Sequence, residues 1–175
     1  MLGLTNLGVI HTLISLVALG AGLAAIVRDK AILPDSGLGR VYLWTTVLTC
    51  LTGFGIFEHG GFGKPHALGV LTLLVLGCAA LAQRTALFGR AAAYVITVGY
   101  TLTLFFHFVP GITETFTRLP AGAPLFSSPE DPALQKVVGA IFLVFLVGAV
   151  LQVRRLRAGS HTGTAANIVP KSRQA

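Results

Sequence analysis

The chain has 175 residues, 54 % of them hydrophobic and only 11 % charged, where a soluble domain carries about a quarter of its residues as charges; a water-exposed globule is excluded, and the mean hydropathy of +0.80 points to lipid. The formal net charge of +7 would indicate nucleic acid in a soluble protein. Here the basic residues fall between apolar runs and in the tail, with no interleaved aromatics, so they form a topology signal and nucleic acid is set aside as a partner.

A membrane helix needs about 20 mainly apolar residues to cross about 30 Å of hydrocarbon. Five stretches meet or approach this: 5–27, stopped by Arg28-Asp29-Lys30; 41–57; 66–83; 91–109, closed by Pro110-Gly111; and 137–153, stopped by Arg154-Arg155-Leu156-Arg157. The first has no positively charged start and is too long for a signal-peptide core, so it is expected to be retained. The second and fifth are short, and their ends are expected to extend by a turn or to be drawn in by snorkelling side chains. Between the stretches lie a loop with Pro34, a turn Gly60-Gly61-Phe62-Gly63, a tight link at 84–90, and a longer segment, 112–135, with Glu114, Glu130 and Asp131. The expected organisation is an all-α, polytopic integral membrane protein: a five-helix transmembrane domain over 1–158 and a disordered tail over 159–175.

Orientation follows from the distribution of Lys and Arg. Arg28, Lys30, Arg40, Arg84, Arg90, Arg154, Arg155, Arg157, Lys171 and Arg173 fall on one side, ten of the thirteen, and Lys64, Arg118 and Lys136 on the other. The positive-inside rule makes the ten cytoplasmic. The expected topology is N-out and C-in, with the lipid bilayer as the principal partner.

Small and polar residues recur at helical spacing, the usual means of close approach between membrane helices. His11, Ser15, Ala18, Gly22 and Ala25 share a face of the first helix. Thr45, Thr49 and Thr52 lead down the second toward His59. His66, Gly69, Leu73, Gly77 and Ala80 align on the third, and Thr97, Tyr100 and His107 on the fourth, with Thr103 close by. Such stripes are expected to face the bundle interior, since lipid-facing polar groups are costly. Cys50 and Cys78 lie mid-span in no metal-type spacing and are read as small buried hydrophobes. Tyr42 and Trp44 are read as an interfacial anchor.

With this topology His11, His59, His66 and His107 converge near the outer surface from four helices, while His161 lies in the tail. Imidazole is the commonest protein ligand for zinc, copper and iron, and facing histidines in a helix bundle can hold a haem iron. Glu58, beside His59, could add a carboxylate ligand or orient an imidazole. Against this, His59 and His66 flank a loop where a solvated histidine needs no explanation, and His11 and His107 could simply hydrogen-bond between helices. No pair of histidines has ligand spacing within one helix.

Three short motifs carry a resemblance: Gly8-Val9-Ile10-His11-Thr12, Leu38-Gly39-Arg40-Val41-Tyr42 and Phe62-Gly63-Lys64-Pro65-His66. In this order they resemble a bacterial family of predicted membrane proteins with a domain of unknown function, over about the first 110 residues. The resemblance implies a bacterial inner-membrane protein of four or more helices, with His11 and His66 in the family pattern, and it transfers no activity. A looser likeness is to four-helix membrane cytochromes b, whose histidines hold haem near each face. This chain has no histidine in the inner halves of its helices, so that likeness implies an outer site alone.

The leading expectation is a small redox or metal-site membrane protein. His11, His66 and His107 would hold a haem b, or these with His59 and Glu58 a transition-metal ion (Zn, Cu or Fe), in electron exchange with an outer partner. The alternative is a non-catalytic subunit or assembly factor of a larger membrane complex, whose histidines are structural. A proton or solute transporter ranks last, because no helix shows the mid-span breaks of a transporter site.

Overall fold

The computed structural model describes residues 5–57 and 61–161. Among these the chain is all-α: α1 (Asn6–Asp29), α2 (Gly37–Gly53), α3 (Lys64–Arg84), a single 3-10 turn at Gly89–Ala91, α4 (Ala92–Arg118) and α5 (Pro132–His161). Neighbouring helices alternate in direction. His11 near the start of α1 meets Gly53 at the end of α2, and Tyr100 in α4 reaches Gln83 at the end of α3.

Among the described residues four helices, not five, are long and apolar enough to cross a membrane: α1, α3, α4 with its preceding turn, and α5. The second expected span, 41–57, forms a helix of 17 residues, roughly 25 Å at the standard rise. Its start is drawn forward by Ser36, whose side chain accepts from the Gly39 amide at 3.0 Å. Its end falls back to Gly53, where the backbone passes into a turn through Gly55 N–H to Thr52 C=O and Ile56 N–H to Gly53 C=O.

Two other boundaries depart from the sequence expectation. Pro110 does not close α4, which continues to Arg118. Proline removes one donor, to the Phe106 carbonyl, but the following turns are braced by Thr115 Oγ1 on the Gly111 carbonyl, Thr117 Oγ1 on the Thr113 carbonyl, and the Glu114–Arg118 pair at 2.6 Å. Similarly, α5 begins at Pro132 rather than 137, and runs to His161, past the expected start of the tail at 159. Asp131 caps it, accepting from the Ala133 amide at 2.9 Å; that bond first, with further ones from Ser127 and Leu134, holds its carboxyl below the usual carboxylate range. The remainder of the expected tail, 162–175, lies outside the described residues.

The long segment between the last two helices therefore shrinks to 119–131. It folds back on α4, with Phe126 N–H on the Phe116 carbonyl at 3.1 Å and the two rings edge to face, and it reaches the start of α3 through Glu130 and Lys64 at 3.1 Å.

The core follows the small-residue logic in part. Ala18, Gly22 and Ala25 in α1 are buried as expected, as are Thr97, Tyr100, Thr103 and His107 in α4. The other two helices are rotated from expectation. In α3 the inward residues are His66, Thr72, Leu76, Ala79 and Ala82, and Gly77 is exposed. In α2 they are Gly39, Tyr42, Thr46, Thr49 and Cys50. Tyr42 is thus not an interfacial anchor: it is fully buried, packed against Gly22 and Leu104, while Trp44 faces outward. Cys50 is buried as expected, but Cys78 is exposed on the outer face of α3.

Candidate functional site at one end of the bundle

A cavity of about 240 Å³ opens at the end of the bundle where α1 and α3 begin and α2 ends. His11, His66 and His107 all line it, with Thr49, Cys50, Phe54, Phe106, Glu114 and Arg118 among the other wall residues. The structure therefore brings together three of the four histidines singled out from the sequence. Glu58 and His59 lie outside the described residues. The wall is mostly apolar with a few convergent polar groups, the usual character of a small-molecule site.

Behind His107 a set of bonds ties α2 to α4. Tyr42 Oη donates to Thr103 Oγ1 at 2.7 Å, because the Thr103 hydroxyl spends its hydrogen on the Tyr100 carbonyl at 2.8 Å. One turn along, Thr46 Oγ1 lies 3.0 Å from His107 Nε2, both buried, and the Tyr42 ring meets the His107 imidazole edge to face with centroids 6.1 Å apart. Tyr42 and Thr46 do not line the cavity but hold His107, which does, a place that was not recognised from the sequence. Their spacing with Thr49, at steps of four and three, is the signal that was available.

His11 and His66 have opposite tautomers, assigned from their partners. Thr52 Oγ1 donates its hydrogen to the Leu48 carbonyl at 2.8 Å, so toward His11 Nδ1, 3.1 Å away, it can only accept. His11 Nδ1 carries the proton, and its Nε2 keeps a lone pair. His66 is the reverse. It stands at the third position of α3 and reaches back to accept the Gly63 amide at Nδ1, 3.2 Å, as a glutamate does in a capping box. Its Nε2 must then carry the proton. That N–H is buried with no hydrogen-bond partner, in a side chain 7 % exposed. The rings of Phe57 and Phe62 stand 5.0 and 5.3 Å from the imidazole, the first stacked.

These assignments bear directly on the expected cofactor. A metal or haem iron needs an imidazole lone pair. His66 offers a hydrogen there instead, and His107 Nε2 is occupied by Thr46. No group of three His, Cys, Asp or Glu side chains is arranged to hold a metal ion among the described residues. With the proton on His66 Nε2 the three-histidine ligand set does not fit this arrangement, while His11 Nε2 keeps its lone pair.

Among known proteins, no family model, no curated protein and no solved structure matches the chain. The functional reading accordingly rests on the cavity.

Proposed function

We propose that the chain is a multi-pass protein of the bacterial inner membrane, N-terminus outside, whose outer-end cavity binds a small membrane-partitioning molecule bearing carbonyl or hydroxyl oxygen. The orientation is supported by Lys and Arg: the alternating helices gather Arg28, Lys30, Arg40, Arg84, Arg90, Arg154, Arg155 and Arg157 at one end, against Lys64, Arg118 and Lys136 at the other. In this reading α2, extended by the turn that follows it, makes a fifth crossing. The resemblance to the bacterial family of predicted membrane proteins agrees with the same location.

The observation that carries the ligand reading is the buried, unpartnered Nε2–H of His66. Leaving such a donor unsatisfied costs about 1–3 kcal/mol, and an acceptor oxygen on a ligand removes that cost. His11 Nε2, on the same cavity, supplies the complementary acceptor. A quinone-type ring suits the phenyl-lined wall: its carbonyl accepts from His66, its reduced, quinol form adds a hydroxyl that donates to His11, and the pair would keep the protein in redox chemistry without a metal.

The test compares 1,4-naphthoquinone with naphthalene, which has the same rings and no acceptor, by titration calorimetry on the detergent-purified protein. One charge-neutral hydrogen bond in a dry site predicts tighter quinone binding by about tenfold. His66→Phe keeps an aromatic ring at this position and removes the donor, so the preference should collapse in that variant. Equal affinity for the two compounds in the wild type would sink the reading. An absorption spectrum of the same sample, oxidised and dithionite-reduced, decides the haem alternative: a Soret band with reduced α and β bands would restore it.

A further inference from the structure

At the opposite end of the bundle a second cavity, about 170 Å³, lies between α1, α4 and α5. Its rim carries Lys30 and Arg155, both exposed, and its wall includes Ile26, Leu151, Thr101 and Gln152. It shares no residue with the histidine cavity and is independent of the function proposed for that site.

Gln152 is the unusual member. Its side chain is 7 % exposed, within a helix whose other faces meet lipid-type surroundings. Nε2 donates to the Lys30 carbonyl at 3.0 Å, which fixes the amide orientation, since the reverse would set oxygen against oxygen. Oε1 is then a buried acceptor without a donor. Lys30 closes α1 in the left-handed conformation, φ 62°, and its Nζ donates to the Val27 carbonyl at 2.6 Å, using one of three hydrogens. No carboxylate lines the cavity. The adjacent Asp29 carboxylate is held by Arg28 through two bonds of 2.8 and 2.7 Å.

The crevice therefore combines a cationic rim, a buried acceptor just beneath it, and an apolar wall descending from both. Thr101 adds little polarity, because its hydroxyl donates to the Thr97 carbonyl at 3.0 Å. A single molecule that answers all three features has a phosphate, a free hydroxyl beside it, and an alkyl chain. Basic pockets between membrane helices are recurrent sites for anionic headgroups.

We propose that this crevice is a binding site for a phospholipid with a phosphoglycerol headgroup. The phosphate sits between Lys30 and Arg155, a glycerol hydroxyl donates to Gln152 Oε1, and an acyl chain lies along Ile26 and Leu151.

The experiment is native mass spectrometry of the full chain released from nanodiscs of mixed lipid. The wild type should retain phosphatidylglycerol over phosphatidylcholine by about tenfold, because both carry the phosphate but choline sets a cation against Lys30 and Arg155 and offers no hydroxyl to Gln152. Arg155→Gln, a change at an exposed position, should lower that preference several-fold. Phosphatidylmethanol, a phosphodiester of the same charge with no free hydroxyl, should be retained less than phosphatidylglycerol by the wild type and equally by Gln152→Leu. No preference for phosphatidylglycerol over phosphatidylcholine in the wild type overturns the proposal. So does an unchanged ratio of phosphatidylglycerol to phosphatidylmethanol in Gln152→Leu, or displacement of the adduct by millimolar inorganic phosphate, which would mark a free-anion site. Should Gln152→Leu fail to fold, Arg155→Gln decides alone, and an unaltered lipid preference there overturns the proposal.

Discussion

The Gly63 amide donates to His66 Nδ1 across 3.2 Å, and this one bond decides what His66 can do. It starts α3 by satisfying the Gly63 amide, a backbone donor at the helix start that has no intrahelical partner. It also fixes the proton on Nε2 and turns an expected metal ligand into a hydrogen-bond donor. His11, tied to Thr52 through Nδ1, is fixed the other way.

The tautomers are directly measurable. Nitrogen NMR of the protein labelled at histidine should show His66 protonated at Nε2 and bare at Nδ1, and His11 with the reverse pattern. Thr52→Val removes the side-chain acceptor at His11 Nδ1 and should shift His11 toward a tautomer mixture while His66 is unaffected. A bare Nε2 on His66 in the wild type would reopen its role as an iron or metal ligand.

Thr46 is predicted to matter far more than its neighbour Thr45. Thr46→Val leaves His107 Nε2 buried opposite a methyl group, at a cost of about 1–3 kcal/mol. Thr45 Oγ1 bonds only its own helix, at the Val41 and Tyr42 carbonyls, so Thr45→Val should stay within about 0.5 kcal/mol. Reversible unfolding in mixed micelles checks both, and equal effects would argue against the Thr46–His107 bond.

Close approach of α1, α2 and α4 rests on Gly22. A Cβ there would stand 2.7 Å from Leu104 Cδ1 and 2.9 Å from Tyr42 Cδ2. Gly22→Val should destabilise the bundle by about 1–3 kcal/mol through overpacking. At Gly20 nothing lies within 4 Å, so Gly20→Ala should be neutral or gain up to about 1 kcal/mol from helix propensity. The same unfolding assay separates them, and a tolerated Gly22→Val would mean the helices sit farther apart.

The link between the 119–131 loop and α5 should loosen in acid. Asp131 has its carboxyl pKa lowered in the folded chain, chiefly by the Ala133 amide. A depressed carboxyl contributes stability above its unfolded pKa, about 3.9 for Asp, and loses it as pH falls through the lower folded value. Hydrogen exchange corrected for intrinsic rates should show the first turn of α5 protected at neutral pH and unprotected at the acid end. In Asp131→Asn the same turn should show no such pH dependence. Loss of protection at higher pH in both chains would assign the effect to another group.

Much of this arrangement could be read from the sequence. Composition and run length define the helices, and the alternation of direction then fixes which end of the bundle each residue occupies. That is why His11, His66 and His107 could be assigned to one end before any coordinates, and why Ala18, Gly22 and Ala25 could be assigned to a contact face. What the sequence could not supply was helix phase and chain ends. In helices apolar on nearly every face, polarity barely marks the inward side, so neighbour packing turned α2 to bury Tyr42 and Thr46, and α3 to bury Thr72 and Leu76 while exposing Gly77. Likewise Pro110 did not stop α4, because the turn after it could brace itself with Thr115, Thr117 and the Glu114–Arg118 pair. The sequence determined that three histidines share one end of a membrane bundle. Only the tertiary structure, through the bonds from Gly63, Thr52 and Thr46, decided which of their nitrogens carry protons and hence what the cavity can hold.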